Sequence, residues 1–302
     1  MAASTPLERA PARLAGRREL WLKREDIHEL GAFKWRGALP VVLALAEAGH
    51  TTIVTASTGN HGAAVAWACH EFGVTARVFA PVNGNETKLA LIERLGADVR
   101  LAGADLDEAK EIARVSAGKA GLPFFEDGAE PLQYDAYAAI GDELLDQAGE
   151  PPAAVVVPIG NGALAGGIGT ALAQRAPAVQ RVGVVAKAMP VMADAFASGR
   201  AVTMSNGTTI ADGLAVRVPI PFAVHRLRDA LDGVLRISER EIAAALVACH
   251  DAGLRVEPSA AAGFAALAQL AVDGPIVVIV TGRNFDEDVL ARARSDLDSF
   301  PA

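Results

Sequence analysis

Two cysteines, two tyrosines, three tryptophans and four methionines in 302 residues leave this sequence poor in side chains that serve redox chemistry or aromatic ligand platforms. Cys69 and Cys249 stand in apolar helical patterns without partner spacing, which reads as two buried small hydrophobes rather than a disulfide or metal site. The six histidines are scattered, with no two four residues apart on a plausible helix, so no metal site is expected from them. Long apolar runs are missing too: none approaches the roughly 20 residues that span a bilayer. The start, Met-Ala-Ala-Ser-Thr-Pro, lacks the apolar stretch of a signal peptide, and a cytoplasmic protein is expected. Positive charge is outnumbered, 28 basic against 36 acidic residues, or 28 − 36 = −8. Neither nucleic acid nor an anionic membrane is a natural partner for such a chain, whereas a small molecule is.

What is present is a large hydrophobic fraction, 51%, enough for one big or two modest cores. Short β-branched runs at 51–55, 75–79, 155–158, 181–185 and 276–281 alternate with Ala/Leu-rich stretches of helical period. That alternation predicts an α/β protein: two open, twisted parallel-sheet domains with helices on both faces. Helices are expected over 61–72, 86–95 and 108–120, and Pro123-Phe-Phe reads as a strand. Residues 46–132 form a self-contained run of such units and are assigned to a small domain. Residues 1–45 and 133–302 then make a larger, discontinuous one.

Four stretches carry possible chemistry. In Gly31-Ala-Phe33-Lys34-Trp-Arg-Gly37, Lys34 either lies along a helix surface with its head in water or is held near neutrality to form a Schiff base. A strand runs into the glycine-rich Gly160-Asn161-Gly162-Ala163-Leu164 and then a helix; the glycines serve tight packing or a phosphate at the helix start. Gly160-x-Gly162-x-x-Ala165 also fits a dinucleotide fingerprint, but the following strand, Arg181 to Lys187, ends without the acidic residue that binds a ribose. A phosphate of mononucleotide or cofactor size is preferred. Ser57-Thr58-Gly59-Asn60-His61 opens another helix, either as capping residues or as a seat for a carboxylate. Thr281 lies in the turn after the last strand.

In order along the chain, Thr5-Pro-Leu7, Leu22-Lys-Arg-Glu-Asp26, Phe33-Lys34-x-Arg36-Gly37, Ser57 to His61, Gly160 to Leu164, Thr209-Ile-Ala-Asp-Gly213 and Glu257-Pro-Ser259 resemble the fold-type II pyridoxal-phosphate enzymes. That group, with a fold like the tryptophan synthase β-subunit, includes threonine and serine dehydratases and serine racemase; the loops look closest to the catabolic branch with hydroxyectoine-utilisation dehydratases. The resemblance implies pyridoxal 5'-phosphate bound through Lys34, with Phe33 against its ring and Asn60 on the ring oxygen. It further implies that Gly160, Asn161, Gly162, Ala163 and Leu164 cradle the phosphate and that Thr281 faces the pyridine nitrogen. Ser57, Thr58, Gly59, Asn60 and His61 would bind the substrate carboxylate. The implied reaction is β-elimination from a β-hydroxy or β-substituted amino acid, giving a keto acid and ammonia. Racemisation by Lys34 and Thr58 is the alternative, and a non-catalytic cofactor binder a more remote one. A homodimer is expected on the same basis.

Departures from the family sharpen the reading. Where some members carry a Glu and an Asp for a divalent cation, this chain has Ala186 and Met192, so no metal is expected. Its end at Ala302 predicts no allosteric regulatory domain. Where relatives have a Gly-Gln-Gly-Thr turn toward the substrate side chain, this chain has Gln133-Tyr134-Asp135-Ala136-Tyr137. Tyr134 and Asp135 either begin a helix or reshape the pocket; the latter predicts a substrate with a polar or cationic group of its own.

Overall fold

A computed structural model describes residues 4–204 and 207–302, with nothing to be said of the Thr87 side chain. The chain forms two compact units, residues 1–32 with 137–302 and residues 33–136. It begins in the first unit with β1 (Leu7–Arg9), α1 (Ala12–Ala15) and β2 (Leu20–Arg24). The second unit holds α2 (Trp35–Glu47), β3 (Thr52–Ala56), α3 (Asn60–Glu71), β4 (Thr75–Ala80), α4 (Glu86–Arg94), β5 (Asp98–Leu101) and α5 (Leu106–Ala120). Helix α6 (Pro131–Ala148) starts in the second unit and ends in the first. There follow β6 (Ala154–Pro158), α7 (Ala163–Arg175), β7 (Gln180–Ala186), α8 (Val191–Ser198), α9 (Pro221–Ala230), β8 (Gly233–Ile237), α10 (Glu239–Asp251), α11 (Pro258–Ala265), β9 (Ile276–Val280) and α12 (Glu287–Ser295).

In the first unit six strands lie in the order β1-β2-β9-β6-β7-β8, parallel except for β1, which pairs antiparallel with β2. The central strands explain themselves: every residue of Ala-Val-Val-Val-Pro in β6 and Ile-Val-Val-Ile-Val in β9 is buried, so both faces of the sheet are covered. The second unit is a parallel sheet, β3-β4-β5, extended by Phe124, which bridges Val54 in the parallel sense. Its helices are bounded by local chemistry, as in α5, where the Asp105 side chain accepts from the amides of Asp107 and Glu108 and Gly121 closes the far end in the left-handed conformation.

The structure refines the sequence reading at three points. An all-parallel description misses the antiparallel β1. The boundary at 45/46 moves to 32/33 because α2 packs along α3, and the boundary at 132/133 moves to 136/137 within α6. Strand β2 was hidden by its charges: Lys23 is fully buried, donating to Glu143 Oε2 at 2.7 Å, Thr5 O at 2.6 Å and Gln147 Oε1 at 3.2 Å. Arg24 forks onto Asp26 and also reaches Glu8.

Candidate functional site

Lys34 occupies the N-cap position of α2, its Nζ 5.0 Å from the centroid of the Phe33 ring. It is only partly buried, and its partner is polar: Nζ donates to Asp127 Oδ2 at 2.5 Å. The lysine head thus lies in a salt bridge rather than in open water. Asp127 follows the strand-like Pro123-Phe-Phe, and its Oδ1 accepts from Gln133 Nε2 at 3.0 Å and lies 3.5 Å from His61 Nδ1. Burial would raise the pKa of this carboxylate, but the ammonium of Lys34 opposite holds it well below the usual range.

His61 is 5% exposed in the first turn of α3, edge-on to Phe125. Its Nε2 lies 3.0 Å from Thr55 Oγ1, whose one proton goes to the Phe125 carbonyl at 2.7 Å. Nε2 must therefore carry the imidazole hydrogen, and Nδ1 presents a lone pair. Burial drives the imidazole pKa down to about 4, against the pull of Asp127. Along the same loop, Gly59 caps α3 without a side-chain hydrogen bond, and the buried Ser57 Oγ accepts from Gly59 N at 3.1 Å. The loop is thus not a side-chain N-cap; Thr58, Gly59 and Asn60 are half-buried at the open start of the helix.

The glycine-rich loop belongs to the other unit. Gly162, with φ of 98°, starts α7 without a side-chain cap, and Asn161 Oδ1 accepts from Ala163 N at 3.1 Å. Ala163 and Leu164 are buried in the first turn. Gly213 from the Thr209 motif crowds Gly160 and is itself pinned by Ser259, whose Oγ accepts from Gly213 N at 3.0 Å. Thr281 is 3% exposed at the end of β9, and its Oγ1 finds no hydrogen-bond partner among the described residues. Next to it, Gly282 accepts from Glu257 N at 3.0 Å. Ala186 and Met192 are buried apolar side chains, and no group of three acidic, histidine or cysteine ligands occurs among the described residues.

Of the two readings of Tyr134 and Asp135, the structure shows the helix start. Tyr134 is buried in the first turns of α6 and donates its hydroxyl to Gly128 O at 2.8 Å, whereas Asp135 is exposed on the helix surface. The inward residues at this point are Gln133 and Tyr134, and both clasp the 127–128 turn. Asp127 is the polar residue of this cluster that sequence reasoning missed; Gln133 and Thr55 stand at the edges of stretches it had singled out. The one available signal was an acidic pair, Glu126-Asp127, at the end of a strand in a chain of strand–helix units.

Over residues 2–282 the chain matches the family described as pyridoxal-phosphate dependent enzyme. It belongs to that family. Relatives of this pyridoxal-phosphate-dependent enzyme include the L-threonine ammonia-lyase of Thermotoga maritima, 33% identical over 278 residues, which are 91% of this chain and 69% of that one. Among solved structures, threonine deaminase isoform 2 of Solanum lycopersicum in its processed form superposes with a TM-score of 0.89 at 28% identity, covering 98% of this chain and 88% of that one. Maize serine racemase gives a TM-score of 0.88 at 27% identity, covering 97% and 92%. The residues present fit the cofactor: Thr281 offers a buried hydroxyl without a partner among the described residues for a ring nitrogen, and α7 starts at Gly162 without a side-chain cap, which suits its first amides to a phosphate. No helix among the described residues is long and apolar enough to cross a membrane.

Proposed function

We propose that this enzyme is an ammonia-lyase that eliminates the β-substituent of a β-hydroxy or other β-substituted amino acid, giving a keto acid and ammonia. One observation carries the reading: Asp127 spans Lys34 at 2.5 Å and His61 at 3.5 Å, so a candidate base stands one carboxylate away from the open start of α3. Pyridoxal phosphate, when bound, supplies an electron sink for the charge left at Cα. Lys34 would hold it, with Phe33 against the ring, Asn60 on the ring oxygen, Gly160 to Leu164 on the phosphate and Thr281 at the ring nitrogen.

Lys34 Nζ is the group assigned to take the Cα proton. With the amides of Ser57 and Gly59 committed to Phe79 O and Ser57 Oγ, the seat of the substrate carboxylate is assigned to the Ser57 and Thr58 hydroxyls and the first amides of α3, at its positive end, where they orient the Cα–H bond. His61, neutral under ordinary conditions, adds no competing charge and keeps the loop anchored to Thr55. Thr281 offers a neutral hydroxyl, which cannot hold a ring proton as a carboxylate would; lasting charge at Cα is thereby disfavoured and departure of the β-group favoured.

A panel of β-hydroxy amino acids, with ammonia, keto acid and optical rotation followed together, tests this. Equal yields of ammonia and keto acid uphold it. The likeness to maize serine racemase favours a second reading, racemisation with Thr58 opposite Lys34. Loss of optical rotation without ammonia would establish that instead. The homodimer rests on the family resemblance, and sedimentation of the purified protein tests it.

A further inference from the structure

The turn that carries Thr281 is tied to the segment that leads into Lys34. Ala32 and Gly282 form an antiparallel bridge, Arg283 N donates to Gly31 O at 2.9 Å, and Asn284 Nδ2 donates to Leu30 O at 2.6 Å. These pairings of Ala32 with Gly282, Gly31 with Arg283 and Leu30 with Asn284 keep one register, so the two segments run as a short antiparallel ribbon. The 30–31 side is held from behind as well: Gly31 N donates to His28 O at 2.8 Å and Leu30 N to His28 Nδ1 at 3.2 Å. Gly31 has a φ of 67° and no room for a side chain, since a Cβ there would meet the Asn284 amide. Two side chains reinforce the ribbon, Asn284 closely and Arg283 more weakly, through Nη2 on His28 O at 3.4 Å.

All of these residues belong to the first unit, which ends at Ala32 on this side of the chain. Lys34 follows two residues on, so covalent geometry keeps its Cα within about 7 Å of Ala32. On the other segment Thr281 immediately precedes Gly282. Lys34 and Thr281 are assigned to opposite ends of one rigid ring, the aldehyde carbon and the nitrogen, so both can engage it only at one separation. A segment that had to find that separation on binding would lose affinity to its own ordering. The ribbon sets it beforehand.

Resting on the cofactor assignments above, we propose that Asn284 is a positioning residue for pyridoxal phosphate. Its amide latches the segment before Lys34 to the Thr281 turn, and so fixes the span between the anchoring amine and the hydroxyl at the ring nitrogen.

Titration of the apo-protein with pyridoxal phosphate, read by fluorescence, tests this in a cycle of Asn284→Ala, Thr281→Val and the double variant. Asn284→Ala alone is expected to weaken binding roughly five- to tenfold, but by less than about twofold once residue 281 is changed, because the span then no longer matters. The visible absorbance maximum of the loaded protein should move in the same direction in Asn284→Ala as in Thr281→Val. Asn284→Asp keeps the size, replaces the donor facing Leu30 O by an acceptor, and should behave as Asn284→Ala does. An Asn284→Ala effect of equal size in both backgrounds overturns the proposal and leaves the cofactor assignments standing, being the signature of a general structural role. A Thr281→Val protein that binds the cofactor as wild type does sinks the assignment of Thr281 and the latch with it. A further measurement needs no variant: hydrogen exchange at Arg283 N, the donor to Gly31 O, should be equally slow in the apo- and the loaded protein. An amide that exchanges freely until cofactor is added would make the ribbon a result of binding, and that too overturns the proposal.

Discussion

Gly160 and Gly213 approach so closely that a Cβ on Gly160 would stand 2.3 Å from the Gly213 carbonyl oxygen. The obstacle is backbone, held by Ser259, and cannot swing aside. Gly160→Ala must therefore displace one of the two loops. An overpacking cost of roughly 1 to 3 kcal/mol is expected, together with weaker cofactor binding. Urea unfolding of the apo-protein and fluorescence titration with pyridoxal phosphate measure the two; wild-type values in both would show that the loop yields freely.

Thr281→Val should have effects of opposite sign on the two forms of the protein. The Oγ1 atom is buried without a partner among the described residues, so a methyl in its place should leave the apo-protein as stable or up to about 1 kcal/mol more stable. The loaded enzyme should bind its cofactor less tightly. An apo-protein destabilised by the change would mean that Oγ1 already has a partner.

Lys34→Ala should remove the visible absorbance of the lysine-bound cofactor and all turnover, while leaving the sheet signals of circular dichroism intact. Borohydride reduction of wild type should place the label on the peptide containing Lys34. A variant that stays yellow after borohydride and dialysis would assign the anchor to a different lysine.

The depressed pKa of His61, about 4 against 6.5, has a consequence for stability. Between those values the unfolded chain holds a proton that the folded chain refuses. Stability is complete above pH 6.5 and declines as pH falls toward 4, by up to about 3 kcal/mol from this residue. Asp127, also lowered, adds a further loss below the ordinary carboxylate range. Urea midpoints at pH 7 and pH 5 should differ more in wild type than in His61→Gln; equal slopes would place the pH dependence elsewhere.

Lys23 tests the buried charge beneath β2. Lys23→Met removes the cation facing Glu143, leaving that carboxylate the Thr5 amide and leaving Thr5 O the Gln147 side chain, and should cost roughly 3 to 5 kcal/mol. Adding Glu143→Leu should recover a large part of that loss, as measured by urea unfolding. A double variant no better than the single one would mean that Thr5 and Gln147, rather than Glu143, dominate the site.

Features written in contiguous residues were legible without the structure. The all-apolar runs of β6 and β9 can only be buried strands, and Ser57 to His61 and Gly160 to Leu164 carry their helix starts and bare backbone within five residues each. Lys34 stood out because it lies between the aromatic Phe33 and Trp35 in a glycine-flanked segment. Tertiary structure decided what depends on partners distant in the chain. Strand β2 exists with a lysine inside it because Glu143, 120 positions away, neutralises that charge. The carboxylate facing Lys34 comes from a position 93 residues on, and it is Asp127 rather than Asp135 because the α6 turn points Gln133 and Tyr134 inward and leaves Asp135 in solvent. Local propensity says that a helix starts there; which of its sides meets the loop is set by packing between segments, and no run of neighbouring residues encodes it.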